Sequence, residues 1–264
     1  MRPSFFQNYD TKPTSFCYNK RMTEISKKYT RVILKLSGEA LLDNASHLIF
    51  SKDKLDNIVT LLKTLNRNGV KVGVIVGAGN IFRGRIASEV GLKEEDGDYL
   101  GMVGTVINCK CIADLLAKND VPNELFSALA IEKVAKGYNV SEARKAYDEG
   151  KVVLFAGGIG EVKHTTDTAA STRALEMNAE LILAAKNGVD GVYDKDPNKY
   201  PDAKFIHKLT YKEVLDSNLK VMDKEAAELL LNKDIVTRVF SMDNFDNFYK
   251  VISGDDSVGS IISK

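Results

Sequence analysis

The sequence predicts an α/β fold built on a mostly parallel sheet covered on both faces, and three observations carry that prediction. Short apolar runs without polar alternation, such as Arg31 to Leu36 and Lys151 to Ala156, read as strands buried on both sides. Between them stand segments with apolar residues at helical spacing, as at Leu55, Ile58, Leu61, Leu62 and Leu65. Strands and helices alternate from end to end, which calls for crossover connections between parallel strands.

A chain of 264 residues with 44% hydrophobic and 28% charged residues can bury one large core, so a single domain is expected. Basic and acidic residues number 37 and 36, and a net charge of +1 predicts neither a nucleic-acid nor a membrane surface. Partners are expected to be small molecules or protein. Cys17, Cys109 and Cys111 form no disulfide framework and read as free thiols of a reducing compartment. No apolar run approaches a membrane span and no signal-peptide core is visible, so a cytoplasmic location is expected.

Residues Met1 to about Lys28 follow neither structural period and read as a loose extension, with an upstream start ahead of Met22 as an alternative to a function of their own. The domain is expected over residues 29 to 264. The strand Arg31 to Leu36 comes first. Ser51 is placed to cap a helix running to about Asn68, which Gly69 closes. Lys71 to Val76 is a second strand, opening into Gly77-Ala78-Gly79-Asn80. A long helix is expected from Asp98 to Lys118 and a strand from Val121 to Ala128. Ser141 to Glu149 is a polar helix ended by Gly150. Lys151 to Ala156 is a strand that opens into Gly157, Gly158 and Gly160. Thr166 and Asp167 are placed to cap a helix to about Asn178. Leu181 to Ala185 is a strand, followed by a loop from Asn187 to Pro201. Thr210 and Glu213 have capping-box spacing. Asp223 begins a helix, Ile235 to Phe240 is a strand, and Val258 to Ser263 reads as a closing edge strand.

Lys35 lies inside the first apolar run. A lysine in a doubly covered strand is costly unless an anion meets it, so a site at the strand's carboxyl end is the cheaper reading. Ser37 and Gly38 follow with a hydroxyl and a backbone that a phosphate can approach. Each glycine turn after a strand is by itself most often only a turn, but three of them suggest one anion site at neighbouring strand ends. Neither GxxxxGK[ST] nor GxGxxG occurs at these turns, so a P-loop or dinucleotide fingerprint does not explain them. Moving a phosphoryl group needs cations, backbone donors and a metal on the donor tail. Lys35 and Arg83 are candidate cations, and Gly38, Gly77 and Gly79 mark the donors. Asp167, Asp196 and Asp223 are candidates to hold Mg²⁺ or orient a lysine, although Asp167 and Asp223 serve equally well as helix caps. Asn187 and Tyr193 are placed to hydrogen-bond and pack a purine.

From Tyr29 onward the chain resembles the bacterial uridylate (UMP) kinases of the amino acid kinase superfamily. The resemblance rests on ILKLSGEAL at 33–41, VGAGNIFRG at 76–84, GDYLGM at 97–102, AGGIG and TTDTAA between 156 and 170, NGVDGVYDKDP at 187–197 and LKVMD at 219–223. It implies an αβα sandwich and transfer of the γ-phosphoryl of ATP to UMP, with Mg²⁺ bound through the ATP phosphates. It also implies a homohexamer with nucleotide effectors, UTP as inhibitor and GTP among them. Carried over by position, the resemblance puts Lys35, Leu36, Ser37, Gly38, Gly79 and Arg83 on the ATP phosphates and the phosphoryl path. Asn187, Tyr193 and Asp196 then take the adenine and ribose side. Asp98 accepts the UMP ribose hydroxyls, and Asp223 is the carboxylate that orients the lysine. The UMP wall comprises Ala78, Gly158, Ile159, Gly160, Glu161, Val162, Lys163, His164, Thr165 and Thr166.

The chain departs from that pattern at three places. Ala78 replaces the middle glycine of the second turn, so its methyl is expected to crowd the monophosphate. Ile159 stands where Thr is common, and Glu161 to His164 replaces an Asn-Pro-aromatic-aromatic stretch. His164 reads as an exposed loop histidine, with stacking on a base as the alternative. Two rival functions stay open: a relative in the same superfamily with a carboxylate, carbamate or isoprenoid phosphate acceptor, and a nucleotide-sensing protein without catalysis.

Overall fold

The computed structural model describes residues 25 to 264, apart from Asn44, His47, Asn218, Lys220 and the side chain of Arg85. The expected extension lies outside the described residues up to Glu24, and with it Cys17 and Met22. Its last residues are bound to the domain: Ile25 N donates to Asn68 Oδ1 and Lys28 N to the Ile252 carbonyl, both at 3.0 Å.

The first half of the chain runs β1 (Arg31–Leu36), a short 3-10 turn (Gly38–Ala40), α1 (Lys52–Arg67), β2 (Lys71–Val76), α2 (Gly84–Glu89), α3 (Glu94–Lys118) and β3 (Asn123–Ser127). Then come β4 (Lys136–Gly137), α4 (Val140–Asp148), β5 (Val152–Ala156) and α5 (Thr166–Glu176). The remainder runs β6 (Leu181–Lys186), β7 (Val192–Tyr193), β8 (Phe205–Ile206), β9 (Lys208–Thr210), α6 (Tyr211–Asp216), α7 (Lys224–Leu230), β10 (Val236–Ser241), α8 (Asp246–Ser253) and β11 (Ser260–Ser263).

Nine strands form one sheet in the order β4-β3-β5-β2-β1-β6-β10-β11-β9. Every neighbouring pair is parallel except β10 with β11. Side chains alternate across the sheet, as a strand's period of two requires. Val32, Leu34 and Leu36 join the core under α1, α3 and α8, whereas Ile33 joins the core under α4, α5, α6 and α7. The result is the expected three-layer αβα sandwich. β1 is central, with the earlier strands on one side and the later ones on the other, so the chain reverses its direction of progress there. Ligand sites of open α/β sheets lie at such a reversal, beyond the carboxyl ends of the strands.

Several elements differ from expectation. α3 begins at Glu94, with Glu94, Glu95 and Asp96 in its first turn, where carboxylates complement the helix dipole. Asp98 is therefore a second-turn residue, not a cap. By length and composition α3 reaches the range of a membrane span, contrary to the sequence reading, but Val106, Cys109, Ile112 and Leu116 pack its inner side into the core. Ser51 holds the N-cap position of α1 without a side-chain cap bond. β11 is not an edge strand: it lies between β10 and β9, whose three residues were too few to read as a strand. The expected loop after Asn187 carries β7, which pairs antiparallel with β8 and sets Tyr193 edge-on to Phe205 at 5.4 Å. The capping box holds, with Glu213 N donating to Thr210 Oγ1 at 3.1 Å and Thr210 N to Glu213 Oε2 at 2.7 Å.

Candidate active site

Alternation along β1 turns Lys35 to the same face as Ile33, toward α5, and its Nζ meets Asp167 Oδ1 at 2.8 Å. The two side chains are largely covered, at 14% and 23% exposure, so the pair is held in a poorly hydrated place where its geometry matters. Asp167 sits in the first turn of α5. The N-cap there is Thr165, whose Oγ1 accepts from Asp167 N at 3.0 Å and Thr168 N at 3.4 Å. Asp167 is thus free of capping duty.

Lys186 ends β6, the neighbour of β1, on the parity of Ile182 and Ala184 and hence on the same face as Lys35. Its Nζ donates to the Val221 carbonyl at 3.2 Å. Burial, and then the nearby Lys35 ammonium, hold Lys186 below the usual lysine range, with Asp167 acting the other way. The sequence reading missed this second cation. The available signal was its parity, one residue beyond an apolar run that pairs with β1.

The first two glycine turns touch. A Cβ on Gly38 would stand 2.5 Å from Asn80 Oδ1, the Gly77 carbonyl and Gly79 N, so only glycine allows this approach. An asparagine pair that sequence reasoning also missed holds the second turn in place. Asn108, fully buried in α3, donates to the Gly77 carbonyl at 2.8 Å and to Asn80 Oδ1 at 2.8 Å. Asn80 Nδ2 in turn donates to Asn108 Oδ1 at 3.0 Å and to the Ile49 carbonyl at 2.9 Å. Ala78 fits because α3 has no side chain opposite it: a Cβ on Gly104 would come within 2.8 Å of the Ala78 methyl. Arg83 is half-exposed, with Nη2 on Glu39 Oε1 at 2.9 Å and Nε donating to the Gly79 carbonyl at 3.1 Å. It thereby joins the two turns.

Beyond β2 and β5 lies a cavity of about 240 Å³, with Phe82, Met102, Thr105 and Phe155 among its walls. Of the expected acceptor residues, Ala78, Asp98, Gly158, Glu161, His164, Thr165 and Thr166 line it, and Ile159, Gly160, Val162 and Lys163 do not. Ile159 packs instead on the core beneath α5. Lys163, at φ 68°, donates its backbone N–H to Asp98 Oδ2 at 2.8 Å, which binds the loop to α3. His164 is not an exposed loop residue: it lines the cavity with 22% side-chain exposure, its Nδ1 2.7 Å from Glu225 Oε2 and its Nε2 3.6 Å from Glu161.

Asp223 does not meet Lys35. It N-caps α7 by accepting from Ala226 N at 2.8 Å, and it receives the Thr165 hydroxyl and, at 3.0 Å, that of Thr168. Burial pushes its carboxyl up, but the hydrogen bonds from Thr165, the Ala226 amide and Thr168 outweigh this and hold it below the usual range. The carboxylate on Lys35 is Asp167, and Asp223 fixes the start of α5 that presents Asp167. Leu36 has its side chain in the core and its carbonyl on Gly77 N at 2.9 Å. Ser37 caps the 3-10 turn by accepting from Glu39 N. Asn187, Tyr193 and Asp196 lie outside the cavity, on the segment that bears β7. Tyr193 donates to Asp190 at 2.7 Å, and Asp196 accepts from Asn198 N at 3.0 Å. Cys109 and Cys111 are free thiols, and burial pushes that of Cys109 up to about 12.

Two largely covered lysines on one face, one of them paired with Asp167, glycine turns in contact, and an adjoining cavity at the N-terminus of α5 together suit the holding of phosphate groups. The amino acid kinase family model matches residues 30–241. The uridylate kinase of Mycoplasma capricolum is 41% identical over 226 residues, covering 85% of this chain and 94% of that protein. The crystal structure of UMP kinase from Bacillus anthracis superposes with a TM-score of 0.85 at 34% identity, covering 89% of this chain and 96% of that one. That of UMP kinase from Ureaplasma parvum gives 0.83 at 32%, covering 90% and 100%. A matching family model over most of the fold, and relatives alike over nearly their whole length, place this chain in the amino acid kinase family, among its uridylate kinases.

Proposed function

We propose that this protein transfers the γ-phosphoryl group of ATP to UMP, giving ADP and UDP for pyrimidine nucleotide synthesis. The observation that carries the reading is the Lys35–Asp167 pair beside a cavity lined by Asp98 and the start of α5. A UMP phosphate oxygen attacks the γ-phosphorus in line, that bond forms as the bond to the ADP oxygen breaks, and no covalent enzyme intermediate is needed. Lys35, oriented by Asp167, neutralises the transferring group, and Lys186 adds charge on the donor side. Gly38 and Gly79 provide backbone close to the phosphates, and Arg83 leaves Glu39 for the phosphoryl path. Asn187, Tyr193 and Asp196 belong to the adenine and ribose side. Asp98 selects the acceptor's ribose hydroxyls.

Asp167, Asp196 and Asp223 have separate partners, and among the described residues no three Asp, Glu, His or Cys side chains converge. That donor set fits Mg²⁺ carried on the ATP phosphates, where it would offset their charge, with Asp167 nearest the transfer path. The reading extends to a cytoplasmic homohexamer governed by nucleotides, with UTP as inhibitor and GTP as a further effector. Support for self-association is an apolar stripe on α3, where Tyr99, Leu100, Val103 and Ile107 are exposed.

The test is ADP release from ATP and Mg²⁺ with UMP, CMP, dUMP, glutamate or carbamate offered separately. Strong release with UMP is expected, weaker with dUMP, because a site built to bind a hydroxyl rejects an analogue without it. Release only with glutamate or carbamate would assign another acceptor. Binding of ATP and UMP without release would make the protein a sensor. Equal efficiency on UMP and dUMP would remove the role of Asp98.

A further inference from the structure

Two arginines are nearly sealed from solvent, Arg173 at 3% and Arg238 at 1% exposure. A buried guanidinium is costly, and apolar side chains would pack both places more cheaply. Each clamps a turn. Arg238 Nη2 donates to the Asp255 carbonyl at 2.9 Å, in a turn far along the chain from any cavity residue. Arg173 Nη2 donates at 3.0 Å to the carbonyl of Gly158, which lines the cavity.

The Arg173 guanidinium is itself fixed. Its Nη1 donates to Glu176 Oε2 at 2.7 Å, and it stacks over the Tyr138 ring with 3.6 Å between its carbon and the ring centroid. The Tyr138 hydroxyl donates to the same Glu176 oxygen. Within the turn it holds, Gly160 N donates to the Gly157 carbonyl at 3.0 Å. Gly157, Gly158 and Gly160 all have positive φ, at 74°, 59° and 90°. On the other side, Gly157 N donates to Thr105 Oγ1 at 2.8 Å. A trans peptide points its carbonyl and its N–H in opposite directions. Drawing the Gly158 carbonyl toward Arg173 therefore turns the Ile159 N–H away from it, and among the described residues that N–H meets no protein acceptor.

We propose that Arg173 is the positioning residue of the acceptor site: from beneath α5 it holds the Gly158 carbonyl and so fixes the shape of the glycine turn where Gly158 lines the cavity. The proposal rests on reading the cavity as the UMP site. Arg173 touches neither nucleotide, so its influence is on acceptor affinity and not on ATP.

The test compares wild type with Arg173→Lys, which keeps the charge but loses the planar fork. Expected are a KM for UMP raised at least about fivefold and a KM for ATP changed less than about twofold. Amide exchange across residues 157–160 of the ligand-free protein is expected to speed at least about tenfold. Should that variant not fold, Glu176→Gln, which keeps Arg173 but removes its charge partner, is expected to give the same split with at least about a twofold rise for UMP. Equal movement of both KM values, or exchange at residues 157–160 sped no more than that of α5, would overturn the proposal and leave Arg173 a packing residue. If wild type released no ADP with UMP, the proposed function would fall, while exchange at residues 157–160 would still decide whether Arg173 sets the turn.

Discussion

Replacing Asn108 by leucine tests whether the second glycine turn is held by the asparagine pair. The change keeps a side chain of similar size in α3 and removes its polar atoms. The Gly77 carbonyl and Asn80 Oδ1 then lose donors at 2.8 Å, while Asn80 Nδ2 keeps the Ile49 carbonyl at 2.9 Å. Gly77 and Asn80 are buried, so water cannot replace those donors freely. Each orphaned acceptor costs about 1–3 kcal/mol, or about 2–6 kcal/mol for the two. With about 2–4 °C of midpoint per kcal/mol in a domain of this size, thermal unfolding is expected at least about 4 °C lower. Because Gly77 opens the turn that bears Ala78, the KM for UMP is expected to rise as well. Thermal and urea unfolding, with steady-state kinetics, make the check. A midpoint within about 1 °C of wild type would refute the reasoning, since an Asn–Asn pair this buried cannot be removed silently.

Lys35→Met is expected to lower turnover at least about a hundredfold in a protein that still folds, with a lower unfolding midpoint because Asp167 loses its partner in a largely covered place; turnover near wild type would end its assigned role. In Asp167→Asn, Lys186 loses the one group that raises its pKa, so the alkaline decline of kcat is expected at lower pH than in wild type. An unmoved alkaline limb would show that Lys186 takes no part. Asp223 titrates below 3.8 in the folded protein, so its contribution to stability is complete above that pH and is lost as pH falls through the lower folded value. The stability gap between wild type and Asp223→Asn, read from urea midpoints, is thus expected to be level above pH 3.8 and to narrow below it; a gap that widens toward acid would contradict the hydrogen-bond assignment. Ile107→Asp on the α3 stripe is expected to yield a smaller particle by light scattering, and an unchanged mass would place the subunit contact elsewhere.

The sheet was legible because doubly covered strands must be continuously apolar, and its covering helices because their inner faces repeat at helical spacing. Lys35 stood out for the same reason, as a charge inside such a run. What escaped depends on contacts between segments distant in sequence. Asn80 and Asn108 read separately as a turn residue and a helix residue, and only the approach of α3 to the second turn makes them a pair. Asp98 read as the start of the long helix because nothing local shows that Glu94 opens it four residues earlier. The carboxylate on Lys35 was open among Asp167, Asp196 and Asp223, and the family resemblance favoured Asp223, whereas Asp167 meets the lysine. Helix α5 decides it, since capping by Thr165 frees Asp167 to face β1. The two-residue β7 and β8 and the three-residue β9 are too short for any period to register, and they form because longer neighbours offer them partners.

The strand order divides the chain's labour in a way that bears on how such enzymes diversify. All cavity-lining residues come from 75–169, on the side of β1 built by the earlier strands, whereas Asn187, Tyr193, Asp196 and Asp223 belong to the side built after β6. Within the sheet the two sides meet along the pairing of β1 with β6 through Val32 to Leu36, and above it Thr165, Thr168 and His164 meet Asp223 and Glu225. Substitutions that reshape the cavity can therefore be confined to residues 75–169 and leave Asn187, Tyr193 and Asp196 as they are. The reversal of the sheet thus keeps the cavity and the segment that bears β7 on opposite sides of β1.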